Sequence, residues 1–282
     1  MLACLPALLF AACGQSASAE GVDPRLAEVE SWAFAIGSDD VSAEIESGAL
    51  DPFDLVVIDG QYSHTRDVRK LREKGKLVLA YLAVGTIERD RFWYQQAKPY
   101  RLDYWDDWGE WYAKVKAAGF RDLIQNKVAP KILAKGFDGL FLDTVDMAET
   151  HPGQAQGMEK LVGALSDQVH GRGGFLFSQN GAAITDPLLP YLDGWNREDV
   201  TWTYDFDRNR YKKRSAAGTA RAQEELSRIH GRGLLVTATD YVKKGDMAAQ
   251  NESMANACGT DALPYVSGIS LKRIPPQGLI CP

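Results

Sequence analysis

Short apolar runs alternate with longer amphipathic segments along most of this chain, the rhythm of repeated strand and helix units. Eight runs read as strands: SWAFAIG (31–37), FDLVVIDG (53–60), KLVLAYLAVG (76–85), GFDGLFLDTVD (136–146), GFLFSQNG (174–181), LDGWNRED (192–199), GLLVTATDY (233–241) and ALPYVSGISL (262–271). Several are apolar at nearly every position, as parallel strands are when helices cover one side and a barrel interior fills the other. Together they predict an α/β fold, a single (β/α)8 barrel. The segments HTRDVRKLREKG, FRDLIQNKVAPKILAKG, GQAQGMEKLVGALSDQVHGRG and AAGTARAQEELSRIHGRG carry helical periodicity. The last three end in Gly beside a basic residue, a common helix stop.

The largest interval between strands, Thr86 to Lys135, exceeds an ordinary connection and predicts an aromatic-rich insertion at the barrel rim after the third strand. It holds four of the seven Trp residues: Trp93, Trp105, Trp108 and Trp111. Trp105, Trp108 and Tyr112 fall at helical spacing and predict a helix face packed on the barrel. Phe92, Trp93 and Tyr94 are less periodic, and two readings stand open for them: a flat platform for a sugar ring, or local core packing.

The chain opens on MLACLPALLFAAC, too short to span a bilayer, followed by the small, polar GQSASAEG. This reads as an export segment over residues 1–24, with one folded domain over 25–282. Phe10, Ala11 and Ala12 before Cys13 resemble a lipoprotein processing site, the favoured reading, with lipidation on Cys13; Ala17-Ser18-Ala19 resembles an ordinary signal peptidase site. The expected location is outside the cytoplasm, lipid-anchored at the envelope or secreted, with membrane contact only through that anchor. Cys4 and Cys13 fall in the export segment, which leaves Cys258 and Cys281 as the candidate disulfide of the mature body.

Net charge is -6 with no long basic run, so nucleic acid is not an expected partner; two readings of the acidity stand open, preference for a cationic substrate and, more usual at this size, plain solubility. The four His residues, His64, His151, His170 and His230, and the four Cys show no zinc-site spacing. No phosphate-binding glycine loop or dinucleotide fingerprint is present, so no cofactor is expected.

In barrels of this kind the site lies where the strands end. The strand ends carry Asp39, Asp59, Gly85 and Thr86, Asp143 and Asp146, Gln179 and Asn180, Glu198 and Asp199, Asp240, and Lys272. Carboxylates dominate, and no Ser or Cys nucleophile with a paired His joins them. Paired carboxylates point to acid/base work at a glycosidic bond. Asp39, Asp199 and Asp240 also fit helix caps or Arg partners. Asp143 fits these bland roles least, because it follows Leu140-Phe141-Leu142, where an idle buried carboxylate costs roughly several kcal/mol. Asp59, Asp143, Asp146 and Glu198 also have the oxygen chemistry of a hard-metal site.

YLAVGTIERDRFW (81–93), KGFDGLFLDTVDMAE (135–149), SQNG (178–181) and DGWNRED (193–199) resemble the motifs of glycoside hydrolase family 114, with similarity in order from about residue 31 to residue 271. The resemblance implies a (β/α)8 barrel with endo-α-1,4-polygalactosaminidase activity. It implies Asp143 as nucleophile and Glu198 as general acid/base, with Asp59, Tyr81, Asp146, Asn180 and Asp240 as substrate contacts; Trp93 joins them through the sugar-platform reading. Where many relatives carry Glu after the glycine of the third-strand motif, this chain has Thr86, with Glu88 two residues on. The expected protein is an exported, endo-acting, retaining glycoside hydrolase that cleaves an α-1,4-linked, galactosamine-rich polysaccharide. The alternatives are a non-catalytic polysaccharide-binding lipoprotein and a metal-dependent carbohydrate deacetylase.

Overall fold

The computed structural model describes residues 23–38, 40–275 and 280–281; residues 1–22 of the expected export segment, with Cys4 and Cys13, and also Asp39 lie outside the described residues. Among the described residues thirteen strands follow in chain order: β1 (Trp32–Phe34), β2 (Leu55–Asp59), β3 (Leu77–Ala83), β4 (Thr86–Ile87), β5 (Arg101–Trp105), β6 (Glu110–Ala113), β7 (Gly139–Asp143), β8 (Phe175–Gln179), β9 (Gly194–Glu198), β10 (Trp202–Asp205), β11 (Arg210–Lys213), β12 (Leu235–Tyr241) and β13 (Leu263–Ser267). Eight form one sheet in the order β1-β2-β3-β7-β8-β9-β12-β13, with parallel pairings throughout. The last returns beside the first, where Trp32 Nε1 donates to the Leu263 carbonyl at 2.9 Å. Each of these strands falls inside one of the eight apolar runs, and the architecture is the expected barrel with helices between strands.

Side-chain alternation sorts each strand into an inward and an outward row. Inward aromatic rings fill the barrel: Phe34 and Phe141 lie 5.1 Å apart between ring centroids, Trp32 and Tyr265 5.6 Å, and Phe141 and Phe177 6.4 Å. Each is fully buried, and each stabilises the fold by about 1.5–3 kcal/mol through burial. Gly194 is bare because a Cβ there would meet the Phe177 ring at 2.2 Å.

Helices seal the outer row. Ala155–His170 presents Met158, Leu161, Val162, Leu165 and Val169 to the sheet, the spacing of one helical face. Ser215 caps Ala216–His230 by accepting from the Gly218 amide. The helix Met247–Cys258, absent from the predicted elements, starts on the Asp246 cap. Its last residue, Cys258, is disulfide-bonded to Cys281, with Cα atoms 5.4 Å apart.

The helix expected at Trp105, Trp108 and Tyr112 is a β-hairpin. β4, β6 and β5 form an antiparallel sheet, and the Asp106-Asp107-Trp108-Gly109 turn joins its two long strands. Gly109 takes φ +71° and donates to the Trp105 carbonyl at 2.9 Å, a conformation favoured by glycine. Trp105 and Tyr112 stack across this hairpin with centroids 5.3 Å apart. A second hairpin, β10–β11, follows β9.

Candidate active site

Three consecutive barrel strands end on polar side chains that turn inward: Asp143 on β7, Gln179 on β8 and Glu198 on β9. The residue after each is left-handed without being glycine: Thr144 at φ 59°, Asn180 at 56° and Asp199 at 58°. Such conformations are sparsely populated and cluster at functional sites. At Thr144 the backbone turn aims the amide at Asp143 Oδ1, 2.6 Å away.

The orientation of Gln179 is fixed from below. Thr237 and Thr239 donate their hydroxyls to Asn196 Oδ1 at 2.9 and 3.2 Å. Asn196 Nδ2 therefore faces Gln179 Oε1, at 2.9 Å, and Gln179 Nε2 faces the cleft. That single nitrogen donates to Asp143 Oδ1 at 3.0 Å and to Glu198 Oε2 at 2.9 Å. Two oxygens bonded to the hydrogens of one planar amide stand about 5 Å apart.

Each carboxyl has its own further donors. Tyr81 donates its hydroxyl to Asp143 Oδ2 at 2.5 Å. Asn180 Nδ2 donates to Glu198 Oε2 at 2.8 Å, and Tyr241 donates to Glu198 Oε1. Asn180 Oδ1 in turn accepts from the Glu198 amide at 3.0 Å. Burial, reinforced by the charge of Asp143, pushes the Glu198 carboxyl up to about 8. Burial also raises Asp143, against three donors that favour its ionised form. Burial first, then the neighbouring carboxylates, lifts Tyr81 and Tyr241 well above the ordinary phenol range, which keeps both as donors.

These groups face a cleft of about 340 Å³, a size suited to a small ligand or part of a chain. Asp59, Tyr81, Asp146 and Asn180 line it beside Asp143 and Glu198. Asp59 is fully engaged: Oδ2 pairs with Arg91 at 2.7 Å, and Oδ1 accepts from the Gln61 and Tyr62 amides. It therefore shapes the loop after β2 and is not free as a metal ligand. Burial, then the charge of Asp143, raises Asp146 to about 7.

Two expected contacts lie elsewhere. Trp93 is buried edge-on against Phe120 at 6.4 Å, outside the cleft lining, so core packing fits this residue and a sugar platform does not, while its neighbour Phe92 is exposed. Asp240 points outward from β12 and accepts the Thr201 amide on both carboxyl oxygens at 3.0 Å, which pins the base of the β10–β11 hairpin. The inward position is its neighbour Tyr241, which sequence reasoning missed. The two-residue alternation that puts Thr237 and Thr239 inward carries the signal for it. Glu88, Arg91 and Glu110 also line the cleft without having been assigned there. Burial raises Glu88 to about 8 and Glu110 to about 7. Arg91 Nη2 holds Glu88 Oε2 at 2.7 Å, leaving Glu88 Oε1 buried without a hydrogen-bond partner. Among the described residues no three His, Cys, Asp or Glu side chains converge as a metal-ligand set, and no helix is long and apolar enough to cross a membrane.

The sequence profile of Glycoside-hydrolase family GH114 matches residues 13–272. Among curated proteins, the uncharacterized protein MJ1477 of Methanocaldococcus jannaschii is 24% identical over 249 residues, spanning 78% of this chain and 68% of its own. The glycoside hydrolase domain of PelA from Pseudomonas aeruginosa superposes with a TM-score of 0.71 at 21% identity, over 87% of this chain and 97% of that domain. Aspergillus fumigatus Ega3, solved in complex with galactosamine, gives 0.68 at 15% identity, over 91% of this chain and 96% of its own. These likenesses place the fold among barrel glycoside hydrolases.

Proposed function

Since the chain belongs to glycoside-hydrolase family GH114, we propose that it is an exported, endo-acting, retaining hydrolase of α-1,4-linked, galactosamine-rich polysaccharide, acting through Asp143 and Glu198. The observation that carries this reading is the shared Gln179 nitrogen. It supports a carboxyl separation of about 5 Å, the spacing of retaining rather than inverting glycosidases.

In the first step an Asp143 oxygen bonds to the anomeric carbon, the bond from that carbon to the leaving oxygen breaks, and Glu198 gives that oxygen its proton. In the second step Glu198, now ionised, takes a proton from water; the water oxygen bonds to the anomeric carbon and Asp143 departs as carboxylate. The raised Glu198 carboxyl supports the acid role, since it retains a proton near neutral pH. Tyr81, Gln179 and the Thr144 amide would hold Asp143 ionised and aligned.

A cationic amino sugar suits the cleft. Its lining sets the carboxyls of Asp59, Glu88, Glu110, Asp143, Asp146 and Glu198 against the single guanidinium of Arg91, and a cationic sugar would favour the ionised form of Glu88, Glu110 and Asp146, which burial raises to about 7–8. The bound galactosamine is a property of Ega3; it supports the same sugar class here. Export and lipid attachment at Cys13 rest on the sequence pattern alone.

The test is cleavage of partially deacetylated galactosamine polymer by the unmodified protein and by Asp143→Asn and Glu198→Gln, with and without chelator. Loss of roughly 100- to 10,000-fold in each variant, with no chelator effect, is the expected result. An inert unmodified protein sinks the substrate, and equal cleavage by all three sinks the residue assignment.

A further inference from the structure

The two rim hairpins rise from strands that are not neighbours. The first, β5–β6, follows β3, and the second, β10–β11, follows β9; β7 and β8 lie between them in the sheet. Their tips nevertheless meet. The Trp108 ring stands edge-on to Phe206 with centroids 5.4 Å apart. Trp105 and Trp108 also line the cleft. The two hairpins and this ring pair thus form a bridge over the strand ends that carry Asp143 and Gln179.

Each hairpin is braced within itself, and the tip contact is what joins the two. In the first, Trp105 stacks on Tyr112 and meets Trp108 edge-on at 6.4 Å. In the second, Tyr204 packs on Tyr211, Asp240 holds the Thr201 amide, and Glu252 takes both Trp202 Nε1 and Lys213. At the tips Trp108 and Phe206 remain 45% and 37% exposed, and no hydrogen bond or ion pair between described residues of the two hairpins accompanies their contact. One aromatic pair biases the closed form by roughly tenfold at most.

We propose that Trp108 and Phe206 form a gate that decides between attack at a chain end and attack within a chain. The end of a polysaccharide can be fed beneath a closed bridge. An internal segment extends in both directions from the bond to be cut, so it reaches the carboxylates only by passing between parted tips. Endo-cleavage, which belongs to the function proposed above, therefore requires the hairpins to separate, whereas short oligosaccharides and chain ends do not need it.

The experiment uses the full chain with Trp108→Cys and Phe206→Cys, joined by a short bis-methanethiosulfonate link that a mild reductant releases; the unmodified protein, treated identically, controls for the Cys258–Cys281 bond. Product sizes from long galactosamine polymer and rates on short oligosaccharides are read before and after release. The linked protein is expected to make internal cuts at least about tenfold more slowly than the released protein, with oligosaccharide rates within about twofold. A Trp108→Ala/Phe206→Ala variant, whose hairpins cannot pair, is expected to shift products toward internal cuts. Identical product sizes before and after release overturn the gate. If the unmodified protein cuts neither long nor short chains, the proposed function fails and the gate falls with it.

Discussion

Gln179 reaches two carboxyl groups with one nitrogen, and its own carbonyl is held by Asn196. Removing that brace by Gln179→Ala should lower kcat about 100-fold by letting the carboxyls drift, while KM changes little; steady-state kinetics on defined galactosamine oligosaccharides checks the split. The acid role of Glu198 needs its proton, which leaves at about pH 8. kcat/KM should therefore fall as pH rises through that value, and a rate still climbing above pH 9 contradicts the assignment. The sequence put both Asp143 and Glu198 at strand ends, but burial cost singled out Asp143 alone, and only the resemblance to the family ranked Glu198 above Asp59 and Asp240. Asp240 looked equivalent because it too ends a strand, yet alternation turns it outward and Tyr241 inward. The bridging role of Gln179 was not legible, since it depends on Thr237, Thr239 and Asn196 across two neighbouring strands.

At the scale of elements, the eight barrel strands were readable because a parallel strand covered on both faces is apolar almost continuously. The hairpins were not. A four-residue turn between strands set Trp105, Trp108 and Tyr112 three and four positions apart, which is also the spacing of a helix face. The second hairpin, with Arg210 and Lys212 and Lys213 along one strand, lacks an apolar run to announce it. Trp93 also belongs to this scale, since it packs the insertion onto the barrel beside Phe120. Trp93→Ala should destabilise the fold by about 3–5 kcal/mol in denaturant unfolding and leave affinity for galactosamine polymer unchanged; lost affinity at unchanged stability would restore the sugar-platform reading.

The whole molecule concentrates raised carboxyls in one buried cleft and its rim: Glu88 and Glu198 at about 8, Glu110 and Asp146 at about 7, and Asp199 at about 6, burial being the largest cause for each. Between the ordinary carboxyl range and these values the folded chain binds more protons than the unfolded chain. Stability is therefore fully present below the ordinary range and is lost progressively as pH rises through the folded values. The melting temperature should be lower at pH 8 than at pH 5, and a higher value at pH 8 would contradict the burial assigned to this cluster. Ionising these groups as pH rises through their raised values therefore costs the fold, in keeping with the catalytic role proposed for Asp143 and Glu198 away from water. The most direct test of that role is covalent trapping. A 5-fluoro-galactosaminyl fluoride incubated with the full chain should add one glycosyl group, mapped by peptide mass spectrometry to Asp143; a label on any other residue, or turnover to a product of inverted configuration, would contradict the account.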